Sequence, residues 1–386
     1  MMIRTAAVAA ALLLAQSPSV LAQGPSDALP SAGERITLPS SHLGAARTLW
    51  VWTPPGYSRA RPGLPVMYVL DPAVHYRHAT AVAQFLGFYL RAPEMIVVGV
   101  VSPDRNADFT PPLVSAADHR FLRFMVDEVQ PHIRATYNTA PFSILVGHSL
   151  GGLFALQAGL ARPTAFNAII AVSPSLYWSD SLVLKAARER LTHQGTLPKF
   201  VYLAHAETES PAIAASTRAL NDAFASADPQ GVRWTFSTVS GENHQTAMYP
   251  ALHGAMRWLF ADWLQPVSYD RIIAERSLAA FDEYMQRLSA TYGYPVQPSE
   301  LLISILGDRL YQRRAWNEAI LLFARRVALY PESPEAHDEL ARGFLAAGRR
   351  AEADSSFTRA VALARAQRHP SLAAIEARLE RLRGGR

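Results

Sequence analysis

Hydrophobic and polar positions between about residue 35 and residue 265 follow two alternating patterns. Short runs of almost entirely apolar and β-branched residues are typical of strands buried on both faces. Between them, apolar residues recur every three to four positions, which is typical of helices, most clearly over residues 121–133. The predicted strands are residues 48–52, 65–70, 95–101, 142–146, 168–172, 200–204 and 234–239. This order predicts an α/β fold, a mostly parallel sheet with helices on both faces.

The most informative segment is the pentapeptide G-H-S-L-G at residues 147–151, followed by a further glycine. It lies between the predicted strand 142–146 and a run of strong helix formers at 153–158. A serine flanked by glycines at a sharp turn from strand to helix is the nucleophile elbow of an α/β-hydrolase. Ser149 is therefore the candidate nucleophile.

The pattern changes near Pro266, beyond which only helical periodicity is found. Small residues at 307 and 319 and an aromatic residue at 323 have counterparts 34 positions later, at 341, 353 and 357. Small residues let antiparallel helices pack closely, and the spacing resembles that of the tetratricopeptide repeat. We expect a helical domain over 266–386 with two such repeats, at 300–333 and 334–366; two generic helical hairpins are the alternative. Helices near 278–288 and 372–382 are expected to cap the repeats.

The N-terminus has the three parts of a secretory signal peptide. Arg4 is followed by an apolar run over residues 6–15 and then by Val-Leu-Ala at 20–22. The apolar run is too short to span a bilayer. We expect a signal peptide over 1–22, a flexible segment over 23–34 and a hydrolase domain over 35–265. The expected location is the periplasm or the medium, with no membrane anchor.

Composition narrows the possible partners. The formal net charge is +5, but acidic residues are interspersed among the arginines of the last hundred residues. Such mixing is typical of a solvated helical surface, so no nucleic-acid partner is expected. The chain has no cysteine and therefore no disulfide framework. The histidines and carboxylates lack metal-site spacing, so no metal is expected, and acyl transfer on a serine needs no cofactor.

A serine hydroxyl needs a base, and the base needs an acid that orients it. In α/β-hydrolases these residues follow in the order serine, acid, histidine. His244 lies on the loop directly after the last predicted strand, which is the place expected for the base. Glu207 and Glu209 both follow the predicted strand 200–204, so either is a candidate acid, and a serine–histidine dyad is a third possibility.

An oxyanion hole needs two backbone N–H groups directed at the carbonyl oxygen. One is expected from Leu150, directly after the nucleophile, and the other from the loop after the strand 65–70. Pro72 in that loop has no N–H, so Ala73 is the best candidate and Val74 the next.

Four segments together resemble one esterase family of α/β-hydrolases, which includes esterase D, feruloyl esterases and enterochelin-esterase-like hydrolases. They are residues 64–71, the elbow, residues 173–178 and the loop 241–244, and the resemblance covers about residues 35–264. In feruloyl-esterase members the acid stands three residues after a glycine that ends its strand. Here Ala206 replaces that glycine, so the resemblance implies that Glu209 is the acid. Glutamate in place of the usual aspartate, and Asp-Pro in place of a common Asp-Gly at the oxyanion loop, depart from the family pattern.

Four aromatic or imidazole side chains are candidates for binding the substrate. Tyr177 and Trp178 follow the predicted strand 168–172 at the carboxyl edge of the sheet, where ligands of open α/β sheets bind. Packing at the edge of the core is the alternative role for both. His75 and Tyr76, on the oxyanion loop, are candidates for the pocket rim.

The sequence thus predicts an exported serine esterase that cleaves a small-molecule ester. Acyl transfer to another acceptor and peptide cleavage are alternatives on the same residues. An alternative of another class is a non-catalytic protein that acts through its helical repeats, which are in any case candidates for binding a protein partner or for self-association.

Overall fold

An eight-stranded sheet forms the centre of the hydrolase region in the computed structural model, which describes residues 33–111, 119–263 and 278–384. The strand order is β1-β2-β4-β3-β5-β6-β7-β8. Strand β2 is antiparallel to β1 and β4, and all pairs from β4 to β8 are parallel. The strands are β1 Glu34–Leu38, β2 Arg47–Trp52, β3 Leu64–Leu70, β4 Ile96–Val100, β5 Thr139–His148, β6 Ala168–Val172, β7 Phe200–Thr208 and β8 Arg233–Asn243.

The predicted α/β class and all seven predicted strands are confirmed. Strand β1 was not predicted, because it is a short edge strand whose residues are mostly exposed, so its sequence lacks the apolar run of a buried strand. Strands β7 and β8 extend beyond their predicted ends, to Thr208 and Asn243. Both extensions carry polar residues to the carboxyl edge of the sheet.

Helices cover both faces of this sheet. One face packs against α1 and α8, and the other against the helices between α2 and α7. A π-helical turn, Phe124–Val129, joins α3 to α4, so these three elements together cover the helix expected at 121–133. The helices are α1 Pro72–Phe88, α2 Arg105–Phe109, α3 Arg120–Arg123, α4 Gln130–Thr136, α5 Leu150–Ala161, α6 Trp178–Thr192, α7 Pro211–Ala227 and α8 Met248–Leu259.

The secondary-structure elements described in the C-terminal region are all helices, as predicted. Its first described helix packs directly on the sheet: the Tyr292 ring stacks on Phe200 at 5.8 Å and contacts Phe142 at 5.7 Å. The hydrolase and helical regions therefore share one hydrophobic core. The helices are α9 Ala279–Tyr292, α10 Glu300–Gln312, α11 Trp316–Leu329, α12 Pro334–Ala346, α13 Arg350–Ala366 and α14 Leu372–Gly384.

The small and aromatic residues that recur in the predicted repeat lie where neighbouring helices contact each other. A Cβ atom added at Gly307 would lie 2.4 Å from Cε1 of Phe323, so the two helices of the first hairpin approach too closely for any larger residue there. Ala341 and Phe357 are buried together in a separate cluster nearer the C-terminus. Assignment of these hairpins to the tetratricopeptide family stays a prediction. Among the described helices, none has the length and apolar character needed to cross a membrane.

Candidate active site

Ser149 lies at the turn between β5 and α5, with φ of 58° and ψ of −116°. The backbone of a non-glycine residue at this positive φ is strained, and such strain persists only where the surrounding structure enforces the conformation. The approach of strand and helix is close: a Cβ atom at Gly147 would lie 2.1 Å from the carbonyl oxygen of Gly151. Glycine is therefore required at this position, and the elbow predicted from the sequence is present in the fold.

A chain of hydrogen bonds connects Ser149, His244 and Glu209. Nε2 of His244 lies 3.2 Å from Oγ of Ser149, and its Nδ1 lies 3.0 Å from both carboxylate oxygens of Glu209. Since an ionised carboxylate can only accept, Nδ1 carries the proton, and Nε2 of the neutral ring is free to accept from the serine hydroxyl. This is the arrangement required to remove a proton from Ser149.

Glu209 is held in its ionised form. Burial, which leaves its side chain 1% exposed, would raise the pKa of this carboxyl group. Interactions with the Ser173 hydroxyl, the His244 ring and the backbone N–H of Ser210 outweigh burial and bring the pKa below its usual value. A permanent negative charge therefore faces Nδ1 of His244 at neutral pH.

Glu207 is directed elsewhere. Its Oε2 accepts from the backbone N–H of Gly241 at 2.6 Å and from Oγ of Ser240 at 3.1 Å, and its side chain is exposed. These hydrogen bonds lower the pKa of Glu207. Of the two candidate acids, the fold brings only Glu209 to His244.

The backbone N–H groups predicted for the oxyanion hole lie in the first turns of two helices. Leu150 opens α5, and Ala73 lies in the first turn of α1. Neither N–H has an acceptor among the described residues, whereas the N–H of Val74 donates to the carbonyl oxygen of Asp71 at 3.1 Å. Ala73 therefore fits the role of donor better than Val74.

Asp71 brings the start of α1 next to the elbow. Its Oδ2 would lie 3.3 Å from a Cβ atom added at Gly151, in the first turn of α5. The same carboxylate accepts two hydrogen bonds from Arg105, at 2.5 and 2.9 Å. Burial nevertheless raises the pKa of Asp71, against the effect of Arg105. The two helix N-termini that carry Ala73 and Leu150 are thus neighbours.

Ser175 also contacts the candidate nucleophile, and sequence reasoning gave it no role. Its Oγ lies 3.3 Å from Oγ of Ser149, and its N–H donates to the carbonyl oxygen of Ser149 at 3.1 Å. The available signal was its position three residues after β6, at the same edge of the sheet as the elbow.

The four candidate substrate-binding side chains have different positions. Tyr177 is 48% exposed at the start of α6, while Trp178 is half-buried and packs on the core. Tyr76 is 1% exposed and packs edge-on against Trp50. His75 is also buried, so the structure places neither residue of this pair on a pocket rim, because both face inward from α1. Within the described residues, no group of His, Asp and Glu is arranged to hold a metal ion.

Comparison with known proteins identifies relatives of this fold and site. The profile of the family described as "Putative esterase" matches residues 40–253. Ferri-bacillibactin esterase BesA from Bacillus subtilis is 30% identical over 230 residues, which are 51% of this chain and 78% of BesA.

Two solved structures are similar to larger parts of the chain. An IroE-like serine hydrolase from Shewanella oneidensis has a TM-score of 0.64 and 25% identity, and the match covers 76% of this chain and 98% of that chain. An uncharacterised protein from Capnocytophaga ochracea, at 17% identity, has a TM-score of 0.60 and covers 91% of this chain and 99% of its own. The latter shows that the fold is shared well into the helical region. Since the family profile covers more than half of the chain, this protein belongs to that esterase family and is a carboxylic-ester hydrolase.

Proposed function

We propose that this hydrolase works through an acyl-enzyme on Ser149, with His244 as general base and acid and Glu209 as the residue that orients it. The observation that supports this proposal is the unbroken chain of contacts from Glu209 through His244 to Oγ of Ser149. The strained elbow supports it as well, because it holds the Ser149 side chain beside the N-terminus of α5.

In the first half of the proposed reaction, Oγ of Ser149 attacks the ester carbonyl carbon while its proton passes to Nε2 of His244. The carbonyl oxygen becomes negative and is stabilised by the N–H groups of Leu150 and Ala73. The imidazolium is stabilised by the Glu209 carboxylate. When the tetrahedral intermediate collapses, His244 returns the proton to the leaving alcohol oxygen, and the acyl group stays on Ser149.

In the second half, water replaces the alcohol. His244 removes a proton from the water molecule, whose oxygen attacks the acyl carbon. The same two N–H groups stabilise the second oxyanion, and the proton then returns to Oγ of Ser149 as the carboxylic acid leaves.

The substrate class is proposed from similarity. BesA, whose name makes ferri-bacillibactin its substrate, is 30% identical to this chain over 230 residues. We propose that this protein likewise cleaves an ester of an iron-binding siderophore. Exposed Tyr177 beside Ser175 is proposed to contact that substrate.

The N-terminal segment and the helical region are each given a proposed role. Residues 1–22 are proposed to direct the chain out of the cytoplasm, which fractionation of cells expressing the full chain and a form lacking residues 2–22 would test. Residues 266–386, with proposed repeats at 300–333 and 334–366, are proposed to bind a protein partner or a second copy. Light scattering of the purified protein over a range of concentrations tests the second of these.

Labelling with a fluorophosphonate probe tests the nucleophile. The wild-type protein should be labelled, while Ser149→Ala should be neither labelled nor active on p-nitrophenyl acetate. Ser143→Ala is the matched control and should be labelled like the wild type, because Ser143 lies on the same strand but its hydroxyl donates a hydrogen bond to the carbonyl oxygen of Ala165. Equal labelling of wild type and Ser149→Ala would overturn the proposal.

A substrate panel tests the ester class. It should contain p-nitrophenyl esters of increasing acyl length, phenolic esters, and a siderophore trilactone with and without iron. A preference for the trilactone in kcat/KM supports the proposed substrate. Preference for short simple esters would contradict it while leaving Ser149 as nucleophile, and transfer to added alcohols in excess of hydrolysis would favour an acyltransferase.

A further inference from the structure

Three histidine rings lie in a row beside the elbow. His148, at the end of β5, lies between His75 of α1 and His244 of the loop after β8. Its ring centroid is 5.5 Å from that of His75 and 4.7 Å from that of His244. His148 directly precedes Ser149 in the chain, so a residue of the nucleophile strand touches the candidate base.

One hydrogen bond joins His148 to His244, and its donor and acceptor can be assigned. Nε2 of His148 lies 2.7 Å from the backbone carbonyl oxygen of His244. A carbonyl oxygen only accepts, so Nε2 of His148 carries the proton and donates. The hydrogen bond joins residues 96 positions apart in the sequence, and its acceptor is in the main chain of His244 rather than in the ring.

The surroundings of His148 keep its ring uncharged at neutral pH. Burial is the main cause that lowers the pKa of His148 to about 4, and the neighbouring His244 and Arg105 act in the same direction. Glu209 and the bond to the His244 carbonyl act in the opposite direction but are outweighed. On the other side, burial lowers the pKa of His75 to about 3. The donor beside the candidate base is therefore a neutral one.

We propose that His148 is a positioning residue that fixes the main chain of His244 relative to Ser149, which rests on the roles proposed above for those two residues. The His244 ring has hydrogen bonds with two side chains, Glu209 at Nδ1 and Ser149 at Nε2, and neither holds its backbone. The hydrogen bond from His148 fixes the backbone of His244. It does so without a positive charge, which would oppose proton uptake by His244.

The sharpest test compares His148→Gln with His148→Asn. The Gln amide nitrogen reaches about as far as Nε2 of histidine, whereas the Asn amide nitrogen reaches only about as far as Nδ1. We expect His148→Asn to lower kcat on p-nitrophenyl acetate by about tenfold to thirtyfold, the effect of losing one buried hydrogen bond, with KM little changed. His148→Gln should stay within about threefold of the wild type.

Two controls separate this proposal from others. His253→Asn changes a histidine of α8 that contacts Phe85 and should keep wild-type kcat. Ser149→Ala reports on the nucleophile: residual turnover there would overturn the proposed function, whatever the His148 variants show.

The outcomes decide the role of His148. Equal kcat in folded His148→Asn and the wild type would overturn it, and so would an equal loss in the Asn and Gln variants. If His148→Asn does not fold, the rate of fluorophosphonate labelling in His148→Gln decides, with a wild-type rate expected and a tenfold slower rate contradicting the proposal.

Discussion

Glu209 contacts His244 through both carboxylate oxygens, each 3.0 Å from Nδ1. Glu207, two residues earlier, accepts instead from the backbone N–H of Gly241 and from Ser240. Glu207 lies at the end of β7 and Glu209 directly after it, so the difference between them is one of position and not of chemistry. The pair therefore allows a carboxylate that contacts the candidate base to be compared with a nearby one that does not.

The first prediction uses this pair. Glu209→Gln removes the charge that stabilises the imidazolium and should lower kcat by about a hundredfold to ten-thousandfold. Glu207→Gln keeps an oxygen that can accept from Gly241 and should change kcat by no more than about twofold. Steady-state kinetics on one ester, with thermal unfolding as a check on folding, measures both. A larger loss in Glu207→Gln would mean that the acid has been wrongly assigned.

The second prediction concerns the oxyanion hole. Ala73→Pro removes one N–H, and proline is tolerated in the first turn of a helix. We expect kcat to fall by about a hundredfold to a thousandfold, with a smaller change in KM. Ala73→Ser keeps the N–H and serves as the control. Equal activity of the two folded variants would remove Ala73 from the proposed mechanism.

The third prediction concerns the helical region. In Gly307→Ala the new Cβ would overlap Phe323, at 2.4 Å, and we expect a loss of about 1–3 kcal/mol in the free energy of unfolding. The matched variant is Gly343→Ala, where the nearest atom, Cγ1 of Ile320, is 3.1 Å away. There the gain of about 1 kcal/mol in helix propensity should offset much of the tighter contact. Urea unfolding compares them; equal destabilisation would argue against the close approach at Gly307.

The fourth prediction is a loss of stability at acidic pH. Burial lowers the pKa of His75 to about 3 and that of His119 to about 4, so the unfolded chain takes up protons first as the pH falls below about 6.5. The stabilisation is fully present above that pH. It should be lost as the pH falls from about 6.5 to about 4 for His119 and to about 3 for His75, by up to about 1.4 kcal/mol per pH unit for each histidine.

His119→Asn tests this effect on one residue. Nδ1 of His119 accepts from the backbone N–H of Leu122 at 3.4 Å, and the Asn side-chain oxygen can accept in its place. Urea unfolding at several pH values should show a shallower dependence in the variant, by about one proton. An unchanged slope would show that His119 does not contribute.

Much of the hydrolase region was predictable because its signals are local. Buried parallel strands are apolar throughout, and the elbow needs glycine at 147, where any Cβ would clash with the carbonyl oxygen of Gly151. These requirements act over a few neighbouring residues and so leave a pattern in the sequence. Strand β1 lacked such a pattern, because an exposed edge strand is stabilised by its partner β2 rather than by burial.

The acid could not be chosen from the residues alone. Alternation along a strand would place Glu207 and Glu209 on the same face. Strand β7 ends at Thr208, so this alternation does not extend to Glu209, and the two carboxylates have different partners. His75 and Tyr76 were misplaced for a related reason. The turn into α1 begins at Asp71 and sets which side of the helix faces the core, and both residues face inward.

By itself the sequence determined the α/β class, the helical C-terminal region and the serine at the elbow, because each depends on periodicity or on steric limits within a few residues. The tertiary structure decided which glutamate meets His244, that Ser175 touches Ser149 and that His148 donates to the main chain of His244. Those contacts join residues 26 to 96 positions apart. Hydrogen bonds require alignment within a few tenths of an ångström, and only the packed sheet and its loops supply that alignment.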